Sequence, residues 1–114
     1  MTKMEEITQK LVRELLDYDP RYGVLTWKPR ARKWFTSDAD WNRWNNRYSG
    51  SYAFRYVHGG RRWGCILGQN CLAHRIAWLH VYGHLPRQVR FRNGDATDIR
   101  LNNMIDNGGE RLVA

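Results

Sequence analysis

The first twenty residues place apolar side chains at a helical spacing. Thr2 followed by Glu5 has the form of a capping box, in which hydroxyl and carboxylate satisfy free backbone N–H groups at a helix start. Asp19-Pro20 ends the periodic stretch, because the residue before a proline avoids the helical region. We predict a helix that packs on the rest of the protein through an apolar stripe, with binding of a partner by this stripe as the alternative. The stripe consists of Met4, Ile7, Leu11, Val12, Leu15 and Leu16.

Residues 21–60 show no sustained period and predict short elements. Gly23 favours a turn, and the residues from Val24 to Trp27 are good strand formers. Ser37 is a suitable N-cap for a short helix that contains two tryptophans. Because long segments with little regular structure are often functional, residues 28–50 are a candidate binding segment.

From residue 61 onward an alternating pattern gives way to a helical one. Trp63, Cys65 and Leu67 share one face of an alternating strand, and a turn at Gly68 leads back. A helical spacing follows and stops at Gly83, a residue favoured just beyond helix ends. The predicted elements are a strand over 61–67, a turn at 68–70, a return strand over 71–73, a helix over 74–83, a strand over 89–92, a tight turn at 93–94 and a final helix from Asp98.

This mixture of helices and short strands predicts the α+β class. With 114 residues, the chain is long enough for one small domain with a modest core. We divide it into an N-terminal helix packed on the domain (1–20), a basic, aromatic-rich segment (21–60) and a hairpin-helix with a C-terminal unit (61–114).

The positive charge is concentrated in the middle of the chain. Residues 21–92 contain fourteen basic and two acidic side chains, net +12, whereas the flanking segments are each net −2, within a total of +8. A block this basic attracts a polyanion. Most of these cations are arginines interleaved with aromatic residues, which favours nucleic-acid binding over a merely soluble basic surface.

The cysteines and histidines indicate neither a zinc site nor a secreted protein. Cys65 and Cys71 are not spaced as a CxxC motif, and the four histidines are scattered. We expect two reduced, partly buried thiols, although a disulfide between the strands is geometrically possible. The sequence shows no signal peptide and no apolar run near the length of a membrane span. We therefore expect a cytoplasmic protein with no membrane partner, in the host cytoplasm if it is encoded by a phage.

The segment from Val89 to Met104 resembles the nuclease motif of the phage HNH endonuclease family, which includes homing-endonuclease-like proteins. The family writes it roughly as I-D-H-I-N-G-D-x-x-D-N-R-L-x-N-L, and this chain has V-R-F-R-N-G-D-A-T-D-I-R-L-N-N-M. Residues 18–28, 44–50 and 73–86 also resemble family elements, so the resemblance covers most of residues 17–106. It implies a C-terminal ββα-metal unit. The motif positions retained are Asn93, Gly94, Asp95, Asp98, Arg100, Leu101 and Asn103.

The catalytic pair of that motif is missing. The resemblance places the family's metal-binding Asp at Arg90, its general-base His at Phe91 and its last metal ligand near Leu112. A guanidinium repels a cation, and neither apolar side chain can ligate a metal or accept a proton. The family's Asn at position 103 orients the absent His. We therefore predict no catalytic residue, no metal site and no cofactor.

The replacements also have a positive interpretation. Arg90 and Arg92 lie two apart on a predicted strand, so both point to one face, with Phe91 on the other. Fixed guanidinium groups where a relative holds a metal ion would keep phosphate binding while removing cleavage.

The leading hypothesis is a nuclease-inactive protein that binds double-stranded DNA on an HNH-like scaffold. Two alternatives stay open. One is an active nuclease that uses Mg²⁺ or Mn²⁺ on non-standard residues such as Asp95 or Asp98, and the other is a phage inhibitor that binds a host enzyme or defence factor. Three tryptophans, Trp34, Trp41 and Trp44, either stack on bases or pack internally. The predicted phosphate contacts are Lys28, Arg30, Arg32, Lys33, Arg43, Arg47, Arg61, Arg62, Arg90 and Arg92.

Overall fold

Three separate antiparallel sheets and three α-helices build the protein in the computed structural model, which describes residues 5–107. The α+β class is therefore as predicted. The helices are α1 (Gln9–Leu15), α2 (Asp38–Tyr48) and α3 (Ala73–Tyr82). The strands are β1 (Leu16–Asp19), β2 (Val24–Trp27), β3 (Tyr56–His58), β4 (Arg61–Ile66), β5 (Gln69–Leu72), β6 (Val89–Phe91) and β7 (Met104–Asp106), and two 3₁₀ turns cover Arg32–Trp34 and Leu101–Asn103.

Helix α1 is shorter than the sequence predicted. Thr8 is its N-cap, and the hydroxyl accepts a hydrogen bond from the Leu11 N–H at 3.1 Å. Thr2 lies outside the described residues, and Glu5 is not helical. The chain leaves the helix at Leu16 and enters β1, which pairs with β2. The helical prediction over residues 16–19 was wrong because this pairing satisfies the backbone of β1 and still buries Leu16 completely.

The core lies where α1 packs on α3. Leu11, Val12 and Leu15 are buried from α1 and meet the apolar face of α3. Arg13 Nε donates to the His80 carbonyl at 2.8 Å, which satisfies a backbone acceptor left free at the end of α3. The His80 ring in turn contacts the Leu16 carbonyl through Nε2 at 3.0 Å, so the two helix ends are tied together.

The basic segment folds around the predicted short helix. Ser37 caps α2 as expected, since its Oγ accepts from the Asp40 N–H at 3.1 Å. The helix contains Trp41 and Trp44, yet none of its residues is fully buried. It therefore lies on the surface and presents its side chains at the edge of the molecule.

The hairpin β4–β5 forms as predicted, with a further strand, β3, that the sequence did not reveal. The turn between β4 and β5 is tighter than expected. It uses Leu67 and Gly68, both at positive φ (48° and 84°), as in a type I′ turn. Cys65 and Cys71 are free thiols. They oppose Asn70 and Gly64 respectively, so their side chains lie on opposite faces and the disulfide left open above does not form. Cys65 is exposed rather than partly buried.

The C-terminal unit is a β6–β7 hairpin with a long connecting loop. The helix predicted from Asp98 is wrong within the described residues, where the Leu101–Asn103 turn leads into β7. Met104 pairs with Phe91 and is 5% exposed, so long-range pairing and burial decide the conformation here. Any helix after residue 107 lies outside the described residues. Among residues 5–107, no helix has both the length and the apolar character needed to cross a membrane.

Candidate functional site

The loop between β6 and β7, residues 93–103, holds the retained motif and is organised by Asn103. The Asn103 side chain is 4% exposed, and both its polar ends are satisfied. Its Oδ1 accepts from the Asn93 N–H at 3.0 Å, and its Nδ2 donates to the Asp98 carbonyl at 2.8 Å. Asn103 therefore ties the two ends of the loop together and contacts no histidine there.

Asp98 is neutralised within the same loop. Arg100 Nη2 donates to its Oδ2 at 2.6 Å, and Asn93 Nδ2 donates to the same oxygen at 2.8 Å. These hydrogen bonds, of which the one from Arg100 has the largest effect, lower the pKa of Asp98 to about 2, although burial alone would raise it. The carboxylate is ionised at neutral pH, but a guanidinium already occupies it.

Asp95 fixes the turn that follows Gly94. Its Oδ1 accepts from the Thr97 hydroxyl at 2.6 Å and from the Thr97 N–H at 2.9 Å. These bonds lower the pKa of the exposed Asp95 carboxyl. Both retained carboxylates thus have structural partners inside the loop.

The two replaced catalytic positions point in opposite directions. Arg90 is exposed on β6, whereas Phe91 packs edge-on against His74, with ring centroids 5.3 Å apart. His74 is 8% exposed, and its Nδ1 has no hydrogen-bond partner among the described residues. Burial, with the nearby charges of Arg61 and Arg75, lowers the pKa of His74 to about 4. Phe91, where the resemblance places the family's base, is partly buried and packs against the core.

This arrangement does not fit a divalent metal ion. Within residues 5–107 there is no group of three or more His, Cys, Asp or Glu side chains placed to hold one. The first family ligand is replaced by a cation at Arg90, and Asp98 is bound by Arg100. Hydrolysis through a metal-bound water consequently has no support in this loop.

Four of the predicted phosphate contacts have protein partners. Lys28 Nζ donates to the Arg13 carbonyl at 3.0 Å. Exposed ion pairs are weak and can yield to a phosphate. The ion pairs are Arg32–Asp38 at 2.6 Å, Lys33–Glu14 at 3.3 Å and Arg43–Asp40 at 2.8 Å.

Arg30 is held between two tryptophans. Its guanidinium lies 3.9 Å from the ring centroid of Trp44 and 5.1 Å from that of Trp27. Burial lowers the pKa of Arg30, and its Nε finds no acceptor in the described part of the chain. Arg30 is thus a preorganised cation with an unused donor.

Two of the three candidate tryptophans serve internal contacts. Trp34 Nε1 donates to Glu14 at 2.8 Å, and Trp41 Nε1 donates to the Arg30 carbonyl at 2.7 Å. Trp44 instead contacts the rings of Trp27 and Tyr48 and lines an open cleft. All three tryptophans thus make internal contacts in the protein alone, and Trp44 also lines the cleft.

The open cleft beside Trp44 continues towards the loop. Its main part encloses about 590 Å³, and an adjoining part of about 300 Å³ shares Tyr52 and Arg55 with it. A third part of about 280 Å³ joins Arg62 to the loop residues from Asp95 to Arg100. We call the first two parts the arginine–tyrosine cleft, defined by Tyr22, Arg30, Tyr52, Arg55, Tyr56 and Arg62.

The remaining predicted cations lie on different surfaces. Arg61 is exposed at the start of β4, and Arg47 lies 5.3 Å from the Tyr48 ring centroid. Arg92 is exposed in another shallow cleft with Arg21 and Tyr82. The structure therefore brings only Arg30 and Arg62, among the ten predicted phosphate contacts, into the arginine–tyrosine cleft.

Sequence reasoning missed the tyrosines of this cleft and Arg55. Tyr22, Tyr52 and Tyr56 are 68%, 64% and 65% exposed. The signal was present in residues 52–56, where aromatic residues flank an arginine, but the predicted binding segment ended at residue 50. Their significance depends on the fold, which places Tyr22 from the β1–β2 turn next to Tyr52.

Comparison with known families supports the C-terminal part of this description. Residues 71–105, just under a third of the chain, match the model of the HNH endonuclease family and span β5, α3, β6, the loop and most of β7. No curated protein and no solved structure shows significant similarity to the chain. The match supports a nuclease-type scaffold related to nucleic acids, and residues 71–105 are thus HNH endonuclease-like.

Proposed function

We propose that the protein binds double-stranded DNA on this HNH endonuclease-like scaffold and does not cleave it. The observation that carries the proposal is the state of the catalytic positions. An exposed Arg90 and a core-packed Phe91 stand where the resemblance expects a ligand and a base. The nearby carboxylate of Asp98 is occupied by Arg100.

The charge supports binding by phosphate contacts. Arg90 and Arg92 are both exposed and flank Phe91, with Arg90 in β6 and Arg92 directly after it. Guanidinium groups bind phosphate oxygens in a bidentate manner without needing a metal ion. A site that binds and cleaves a phosphodiester in relatives would therefore bind a phosphodiester without cleaving it in this protein.

Fluorescence anisotropy with a labelled duplex, titrated at several salt concentrations, tests the binding. Contacts to about 5–8 phosphates predict a log–log slope of affinity against salt of roughly −5 to −7. Arg90→Ala/Arg92→Ala should lower the duplex affinity and make the slope about two units less steep. Arg87→Ala, an exposed cation outside β6, is the matched control. A slope near zero would refute phosphate-driven binding.

The two alternatives predict other results. A working nuclease would nick supercoiled plasmid with Mg²⁺ or Mn²⁺, would be stopped by EDTA, and would lose activity in Asp95→Asn. A host-protein inhibitor would retain a partner from nuclease-treated lysate and show no salt-dependent duplex affinity. Either pattern would replace the present proposal.

A further inference from the structure

We propose that the arginine–tyrosine cleft binds single-stranded nucleic acid, with unpaired bases on its tyrosines and phosphates on its arginines. The inference deepens the proposed function, because it adds a second class of nucleic acid at a surface separate from Arg90 and Arg92. The cleft lies largely outside the HNH endonuclease-like residues 71–105. All six residues that define the cleft lie outside the match to the family model.

The chemistry of the lining favours a polyanion with flat apolar groups. No Asp or Glu is among the described residues that line the two parts of the cleft, whereas Asp95 and Asp98 line the adjoining third part. Arg30, Arg55 and Arg62 supply the positive charge. The three exposed tyrosines supply ring faces, and large exposed aromatic side chains grouped on one surface mark binding sites.

Two of the arginines have buried donors without acceptors. Nε of Arg30 and Nε of Arg62 are both buried, and neither has a hydrogen-bond partner within residues 5–107. A buried donor without an acceptor is costly, and guanidinium groups form strong charge-assisted bonds with phosphate oxygens. Since Arg30 lines one part of the cleft and Arg62 the other, a strand lying along both parts would pass both arginines.

The floor of the cleft is preformed by a strained residue. Phe54 has a positive φ of 60°, unusual for a bulky side chain, and is 4% exposed between the two parts. A Cβ on Gly64 would lie 2.6 Å from the Phe54 ring, so only glycine allows this contact. Strain of this kind persists where the surroundings fix it and is concentrated at binding sites.

The exposed rings distinguish an unpaired strand from a duplex. In a duplex the base faces are covered by their stacked neighbours, so a tyrosine in a concave cleft cannot reach them. Unpaired bases offer both faces, and stacking on an aromatic side chain contributes about 1–3 kcal/mol per base. A volume of several hundred Å³ matches pockets that enclose small organic groups.

The test compares one labelled oligonucleotide, roughly 12 nucleotides long and so within known site sizes, as a single strand and as a duplex. We expect Tyr52→Ala/Tyr56→Ala to weaken single-strand binding about tenfold or more and to change duplex binding less than about twofold. Tyr52→Phe/Tyr56→Phe keeps the rings and should bind the single strand like the wild type. Both tyrosines are exposed, so folding should persist, and circular dichroism verifies it.

Arg90→Ala/Arg92→Ala separates this inference from the proposed function. It should weaken duplex binding while leaving single-strand binding nearly unchanged. Single-strand binding that needs the tyrosines, without any duplex binding, would support the cleft and refute the proposed function. Equal losses for single strand and duplex in Tyr52→Ala/Tyr56→Ala, or no loss for either, would overturn the cleft proposal. An RNA strand of the same sequence that binds more tightly would support the cleft and identify RNA as its ligand.

Discussion

The loop of residues 93–103 and the arginine–tyrosine cleft use polar side chains in opposite ways. In the loop, Asn103, Asp98 and Asp95 direct their polar groups to other loop residues. In the cleft, Arg30 and Arg62 keep unused donors, and tyrosine rings face solvent. In the region most similar to a nuclease the polar groups bond to each other, whereas the unpaired donors and exposed rings of the cleft lie elsewhere. The motif residues of the loop thus have structural partners of their own.

If the loop is a structural unit, its central amide should matter most. We expect Asn103→Ala to lower the free energy of unfolding by about 3 kcal/mol, because it leaves two partly buried backbone groups without partners. Urea denaturation measures this. Asn102→Ala, at an exposed neighbour, is the control and should change stability by less than about 0.5 kcal/mol. Similar values for both would show that the loop is not held by Asn103.

His74, which packs against Phe91, should make the protein sensitive to acid. Burial lowers the pKa of His74 from 6.5 to about 4, so the neutral form is favoured in the folded state. Above pH 6.5 the histidine is neutral in both the folded and the unfolded states and does not reduce stability. As the pH falls from 6.5 towards 4, the unfolded state binds a proton that the folded state does not bind. The free energy of unfolding therefore falls by about 3 kcal/mol, at about 1.4 kcal/mol per pKa unit. Urea denaturation at pH 7 and pH 4 should show this extra loss in the wild type.

The same comparison in His74→Gln isolates the histidine, because all carboxylates are shared by the two proteins. The variant is expected to be less stable at pH 7 and to lose less on acidification. Parallel pH dependences would mean that His74 does not titrate as its burial next to Phe91 requires.

These two predictions concern residues whose importance was only partly visible in the sequence. The spacing of α3 and its stop at Gly83 were predictable because a left-handed glycine ends a helix locally. The end of α1 was not, since Leu16 fits a helix and a strand equally well and only pairing with Trp27 decides. Asp98 looked like a helix start, but Arg100 takes its carboxylate and long-range pairing forms β7.

The candidate site likewise has a part that was predictable from the sequence and a part that was not. The prediction that Arg90 and Phe91 replace a catalytic pair needed only the motif. The cleft needed the fold, because the positive φ of Phe54 and the stacking of Arg30 on Trp44 are tertiary features. Tyr22 and Tyr52 are thirty positions apart in sequence and meet only through the folded chain.

A smaller effect should come from the cleft floor. Gly64→Ala places a methyl group against the Phe54 ring, so we expect a loss of about 1–3 kcal/mol in stability and weaker single-strand binding. Phe54→Leu in the Gly64→Ala background makes room and should restore part of the stability without restoring the strand affinity. Unchanged single-strand affinity in a folded Gly64→Ala protein would show that the shape of the floor is unimportant for the ligand.

Manganese binding tests the central claim most directly. Isothermal titration of the purified protein with Mn²⁺, in parallel with Asp95→Asn, asks whether the loop holds a divalent ion. The account predicts no stoichiometric binding and no difference between the two proteins, because Arg100 occupies Asp98 and Arg90 replaces the first ligand. One equivalent of tightly bound Mn²⁺ that is lost in Asp95→Asn would contradict it.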